Sequence, residues 1–161
     1  MCYQTGYMMI KNKGVIMNIY KFDELVQKMN NKHPKIFALD SDNPPSTREI
    51  KELEEYYDIE FPNSYKEFLL RYGGGYFAFT VVYSMDKKSS FFIKDNIKAE
   101  FINENHFIPV IDFETGDMIG FKIEDKKCKE LMALYNHEER ILSDLNKDLF
   151  EVLAKYGLKI D

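Results

Sequence analysis

Apolar residues along the chain fall first into helical spacing, then into strand spacing, and finally back into helical spacing. Between Tyr20 and Asn30, Phe22, Leu25, Val26 and Met29 recur at i, i+3, i+4 and i+7, one face of a 3.6-residue period. Asn30-Asn31-Lys32-His33-Pro34 ends that predicted helix, and a loop through Asp40-Ser41-Asp42-Asn43-Pro44-Pro45 follows. Ser46-Thr47-Arg48-Glu49 reads as a capping box, opening a helix with Ile50, Leu53 and Tyr57 inward that ends near Asp58. Phe61-Pro62 leads to a second expected box, Ser64-Tyr65-Lys66-Glu67. Its helix places Tyr65, Phe68, Leu69 and Tyr72 on one face, with Gly73 just past its end.

Beyond the glycines the period changes to 2. Phe77, Phe79, Val81 and Tyr83 alternate with Ala78, Thr80 and Val82 and predict one strand with an aromatic face. A shorter strand is expected over Phe91–Ile93, then a helix capped by Asp95 and bearing Ile97 and Phe101. Phe107–Phe113 and Met118–Ile123 flank Glu114-Thr115-Gly116-Asp117 as a hairpin. Leu131–Tyr135 reads as a further strand. Ser143 is expected to cap a last helix with Leu145, Leu149, Val152, Leu153 and Tyr156 inward. This order predicts a single α+β domain, a mainly antiparallel sheet covered by N-terminal and C-terminal helices. Residues 1–17 read as an N-terminal extension that could be flexible, and 18–161 as the domain.

Composition adds limits. A chain of 161 residues suffices for one core without disulfides or metal, and 45% apolar with 30% charged residues is ordinary for a globular protein. Two cysteines, Cys2 and Cys128, are too few for a disulfide framework and point to a reducing compartment. The first residues lack the pattern of a signal peptide, and no apolar run is long enough to span a membrane, so a cytoplasmic location is expected. The net charge of −5 is unevenly spread. Residues 40–60 carry eight acidic side chains against Arg48 and Lys51, and residues 100–125 carry seven against Lys122. Such blocks repel nucleic acid and attract basic partners, although on charge alone solvated helix and loop faces are the better reading.

Candidate chemistry is sparse. Gly73-Gly74-Gly75 lacks the Lys-Ser/Thr of a phosphate loop and follows a helix rather than a strand. His33, His106 and His137 match no metal spacing, even with Glu138 and Glu139 beside the last. Asp40-Ser41-Asp42-Asn43 begins like a calcium loop, but Pro45 stands where Gly is needed and Lys51 where the bidentate Glu belongs. Cys128, among Lys126, Lys127 and Lys129, reads as an exposed turn cysteine whose pKa those cations could lower. Asp112, Glu114 and Asp117 cluster at the hairpin and point first to partner binding, then to solubility, and only distantly to acid–base catalysis. Tyr56, Tyr57, Tyr65, Tyr72, Tyr76 and Phe77 form an aromatic belt, any exposed member of which would suit an interface anchor. No catalytic residue, cofactor or metal is expected.

The segment Ile50–Phe79, IKELEEYYDIEFPNSYKEFLLRYGGGYFAF, resembles the signature of the SUKH superfamily. Ile50, Leu53, Glu54, Ile59, Phe61, Pro62, Tyr65, Lys66, Phe68, Leu69, Gly73 and Gly74 stand at its places, although many members have Leu where this chain has Phe61. Phe107-Ile108-Pro109-Val110, followed by Asp112 and Gly116-Asp117, is similar to the family's second conserved strand and acidic turn. The resemblance implies a protein that binds another protein and catalyses nothing. The family is mainly bacterial immunity proteins that neutralise polymorphic toxins, often nucleases, with fungal relatives in cell-wall regulation. It therefore implies an antitoxin occluding a cognate toxin with a basic nuclease domain, without direct contact with nucleic acid or membrane. The alternative is a regulatory adaptor for an endogenous cytosolic protein. An acidic surface complements a cleft built to hold phosphates. The expected contact residues are Asp112, Glu114 and Asp117, with Asp40, Asp42, Glu52, Glu55 and Asp58 of the first acidic block as the second choice.

Overall fold

The computed structural model of the protein describes residues 17–161. The expected extension lies outside the described residues except for Met17, which is half-buried against the core. Helix α1 spans Ile19–Lys32, capped by the Asn18 side chain, which accepts from Lys21 N at 3.0 Å. It buries Phe22 completely and half-buries Leu25, Val26 and Met29, the face the spacing predicts. A single 3₁₀ turn, Pro34–Phe37, follows where only loop was expected. Helix α2, Thr47–Tyr57, opens with the expected capping box: Glu49 N donates to Ser46 Oγ at 3.1 Å, and Ser46 N to Glu49 Oε1 at 2.9 Å.

Helix α3, Asn63–Tyr72, departs from expectation at its start. Pro62 is the N-cap and no side chain caps it; Ser64 already lies inside the helix, buried, with Oγ 3.5 Å from Glu130 Oε2. Proline's fixed φ suits a helix entrance, so the turn forms without a box. Tyr65, Phe68 and Leu69 are fully buried. Gly73, Gly74 and Gly75 all take positive φ, and a Cβ on Gly73 would stand 1.9 Å from the carbonyl oxygen of Asp42. The glycine run is a helix end against which the loop before α2 packs.

The expected single strand Phe77–Tyr83 is instead a hairpin of β1, Gly75–Phe77, and β2, Thr80–Val82. Ala78 takes φ 51°, Thr80 Oγ1 donates to Phe77 O at 2.8 Å, and Phe79 N donates to Gly157 O at 3.1 Å. The alternation of apolar residues continues through the turn because a tertiary partner, not turn chemistry, holds it. Phe91–Ile93 likewise forms no strand, only one bridge from Phe92 to Ser84. Two short helices follow, α4, Ile93–Asn96, and α5, Ala99–Asn105; Asp95 lies within the first and caps neither.

Strands β3, Phe107–Asp112, and β4, Met118–Glu124, form the expected hairpin. Strand β5, Lys127–Asn136, is longer than expected because Asp125 and Lys126, both at positive φ, turn the chain directly back. Strand β6, Ile141–Asp144, stands where Ser143 was expected to cap a helix. Ser143 pairs with Leu134 there, and the last helix, α6 at Leu149–Val152, is capped by a box between Asp148 and Glu151. It continues through a π turn, Leu153–Gly157.

The six strands form one antiparallel meander in the order β1-β2-β3-β4-β5-β6. The main core, on the face covered by α1, α2, α3 and α6, packs Phe22, Phe61, Tyr65, Phe68, Phe121 and Leu149 together. A smaller cluster of Phe107, Ala133 and Tyr135 packs with Phe101 of α5. Among the described residues no helix is long and apolar enough to cross a membrane.

Candidate protein-binding surface

Antiparallel pairing puts the β1–β2, β3–β4 and β5–β6 turns at one end of the sheet and the β4–β5 turn at the other. The hairpin carboxylates sit at the first end, but they differ in freedom. Asp112, half-buried, accepts from Tyr83 Oη at 2.9 Å and from Glu114 N at 2.7 Å. Asp117 Oδ1 accepts from His137 N at 3.0 Å and stands 2.8 Å from His137 Nδ1, while the ring lies over Gly116, where a Cβ would meet it at 2.7 Å. Of the three, only Glu114, at φ 59°, is exposed with no partner for its carboxylate among the described residues. Two of the three expected contact residues therefore shape the turn and present the third.

The His137 hydrogen bonds hold the Asp117 carboxyl below its ordinary pKa. A depressed carboxylate stabilises the fold above its unfolded pKa, and that contribution is lost as pH falls through the folded value. The Asp117 side-chain carboxyl carbon should therefore titrate below the range of an ordinary aspartate. His137→Ala should return it to that range; a wild-type midpoint within or above that range would contradict the pairing.

The β5–β6 turn beside it carries Glu138 and Glu139, both exposed, with their amides donating to Asn136 Oδ1 at 3.0 Å each. None of the ion pairs among the described residues involves Glu114, Glu138 or Glu139. Sequence reasoning weighed Glu138 and Glu139 only as metal ligands. The signal that places them is Asn136-His137-Glu138-Glu139-Arg140 read as a hairpin turn, which required recognising β6.

The first acidic block is scattered. Asp40 is exposed, whereas Asp42 packs against the glycine turn, its amide donating to Gly74 O at 2.8 Å and its buried Oδ2 without a partner among the described residues. Glu52 pairs with Arg48 at 3.3 Å on the exposed face of α2. Asp58 pairs with Lys126 at 2.9 Å, and Glu55 lines the same shallow groove beside the β4–β5 turn. Strand β4, seven residues, separates that turn from the acidic hairpin, a span of roughly 20 Å. The two blocks do not form one patch.

The remaining candidates resolve into structure. Tyr57 Oη donates to Ile97 O at 2.8 Å and Tyr65 Oη to Tyr83 O at 2.6 Å, tying α2 and α3 to the segments opposite. Tyr83 then reaches Asp112, so the core aromatics run to the hairpin. Of the belt, Tyr56 and Tyr76 remain exposed, Tyr56 under Lys94 Nζ at 4.2 Å from the ring centre. Cys128 lies in β5, not in an exposed turn; burial first, then the Glu54 and Glu130 charges, push its thiol up to about 12. It is held as the neutral thiol, the opposite of an activated nucleophile. Among the described residues no group of His, Cys, Asp or Glu side chains is arranged to hold a metal ion.

A comparison with curated proteins finds no match. A family profile described as SMI1-KNR4 cell-wall, of the SUKH group, matches residues 47–153, from the start of α2 to the first residue past α6. That range contains both segments carrying the resemblance, the α2–α3 region with its glycine turn and the β3–β4 hairpin. The match covers well over half the chain, which belongs to the SUKH superfamily.

Proposed function

We propose that this protein is an immunity protein that binds the catalytic domain of a cognate toxin, a basic nuclease domain, and occludes it without catalysing a reaction. The observation that supports this reading is the set of exposed carboxylates Glu114, Glu138 and Glu139, unpaired among the described residues, on two turns locked together by Asp117 and His137. Turns already fixed by internal hydrogen bonds lose little conformational freedom on docking, and unpaired carboxylates complement lysines and arginines that otherwise hold phosphates. Family membership supports the class; the charge and rigidity of this end of the sheet support the partner's chemistry.

Co-expression with the product of the adjacent gene is the test. An immunity role requires that the pair co-purify as a stoichiometric complex and that co-expression restore growth to cells making the toxin. The cell-wall description of the matched profile favours a second reading, a regulatory adaptor for an endogenous cytosolic protein. In that case an endogenous protein co-purifies and no toxin is neutralised. For the toxin complex, raising salt from low to physiological levels should slow association clearly more than it speeds dissociation. A salt-insensitive association rate would remove the electrostatic part of the proposal.

A further inference from the structure

A groove of about 690 Å³ lies where the end of α1, the following 3₁₀ turn, the β1–β2 turn and the C-terminal segment converge. Its apolar side is Met29, Ile36, Phe79 and Leu158, and its charged rim is Lys32, Lys35 and Lys159. Among the described residues no acidic side chain lines it, although the protein as a whole carries −5. None of the three lysines takes part in an ion pair among the described residues.

Phe79 is 57% exposed at the tip of a turn whose other central residue, Ala78, holds φ 51° without the freedom of glycine. Lys159, across the groove, also holds positive φ, at 60°, and places its ammonium 5.6 Å from the Phe79 ring centre. Such non-glycine conformations are strained and persist only where surrounding structure imposes them. The hydrogen bond from Phe79 N to Gly157 O holds the turn at Ala78, one from Ile160 N to Ala154 O at 2.9 Å holds the chain past Lys159, and the result is a large aromatic ring held in water. An exposed aromatic fixed over an apolar floor and ringed by unpaired cations is a binding arrangement rather than a packing one.

We propose that this groove binds an acidic linear segment of a partner protein, one that places an aliphatic or aromatic side chain against Phe79, Met29 and Leu158 while its carboxylates meet Lys32, Lys35 and Lys159. Charge complementarity selects the occupant. Residues 1–16 of this chain contain lysines at 11 and 13 and no carboxylate, so they do not match the rim. A nuclease surface rich in cations does not match it either. The groove is therefore a second contact, of opposite sign to the acidic turns.

The test pans a phage-displayed random peptide library on the folded full chain and measures the enriched peptides, once synthesised, by fluorescence anisotropy. Enriched sequences should carry Asp or Glu around a Leu, Ile, Phe or Trp. Lys32→Glu with Lys35→Glu, and separately Phe79→Ser, should each weaken them by about tenfold or more at an unchanged melting temperature. Adjacent-gene complex formation should survive both changes, which separates failure of this proposal from failure of the immunity reading. The proposal is overturned by no enrichment, by enriched peptides that are neutral or basic, or by binding that survives both variants. It is equally overturned if phosphatidylglycerol vesicles bind in a Phe79-dependent way while the peptides do not. Self-association in sedimentation that Phe79→Ser abolishes would assign the groove to a second copy instead.

Discussion

Phe68→Ala should cost about 3–5 kcal/mol of stability and lower the melting temperature by roughly 10 °C, without a direct effect on partner binding. Phe68 is fully buried on α3, with ring centres of Tyr72 and Phe77 each 5.2 Å away and that of Phe22 at 6.3 Å. These rings come from α1, α3 and β1, so truncation opens a cavity at a junction of three elements that cannot close around it. Natural domains hold only about 5–15 kcal/mol in reserve, so the variant should still fold at low temperature but with a much reduced margin. Thermal unfolding by circular dichroism checks the first part, and titration with the co-purified partner well below the new midpoint checks the second. A variant that melts like the wild type yet fails to bind would place Phe68 at the interface.

The helical half of the molecule was legible because its signals are local. The α1 and α2 faces, the Ser46–Glu49 box and the Gly73 end follow from spacings within a turn or two of helix, and α3 follows from Tyr65, Phe68 and Leu69 despite its misplaced cap. The sheet was less legible wherever a turn owes its shape to a distant contact. Ala78-Phe79 contains no turn residue, and the carbonyl of Gly157 holds it. Strand β6 is short and mostly exposed, and its Ser143-Asp144 mimics a helix cap while in fact completing the ladder beside β5. That error hid the β5–β6 turn and with it Glu138 and Glu139. The β3–β4 hairpin and the place of its acids on it were legible, because a Gly-Asp turn between two apolar runs is a local signal. Their division of labour was not, since His137 and Tyr83 lie far from them in sequence. The same reason separates the first acidic block into three places: contiguity along a chain that turns at Pro44-Pro45 and ends α2 at Asp58 does not make contiguity in space.

Replacing Glu114, Glu138 and Glu139 together with Gln should weaken binding of a basic partner by an order of magnitude or more and leave the fold nearly unchanged. All three are exposed, and no side-chain hydrogen bond or ion pair among the described residues depends on their carboxylates, so each change should alter stability by no more than about 0.5 kcal/mol. Gln keeps their size and removes only charge. Asp112 and Asp117 are left intact on purpose. Substituting them would release Tyr83 and His137, and the loss of binding would then mix a displaced turn with a missing charge. Tenfold is about 1.4 kcal/mol, a modest share for three charge pairs, because an exposed pair at a rim contributes mainly to the rate of encounter while one that becomes desolvated on docking contributes several-fold more. The readout is therefore both the dissociation constant and the association rate, in a triple variant whose melting curve overlays the wild type. A slower association with unchanged dissociation would place the turns at the edge of the contact; loss through faster dissociation would place them in its centre. If neither rate moves, the acidic turns are not the contact, and the carboxylates to change next are Asp40, Glu52 and Glu55, which remain exposed on the helical side.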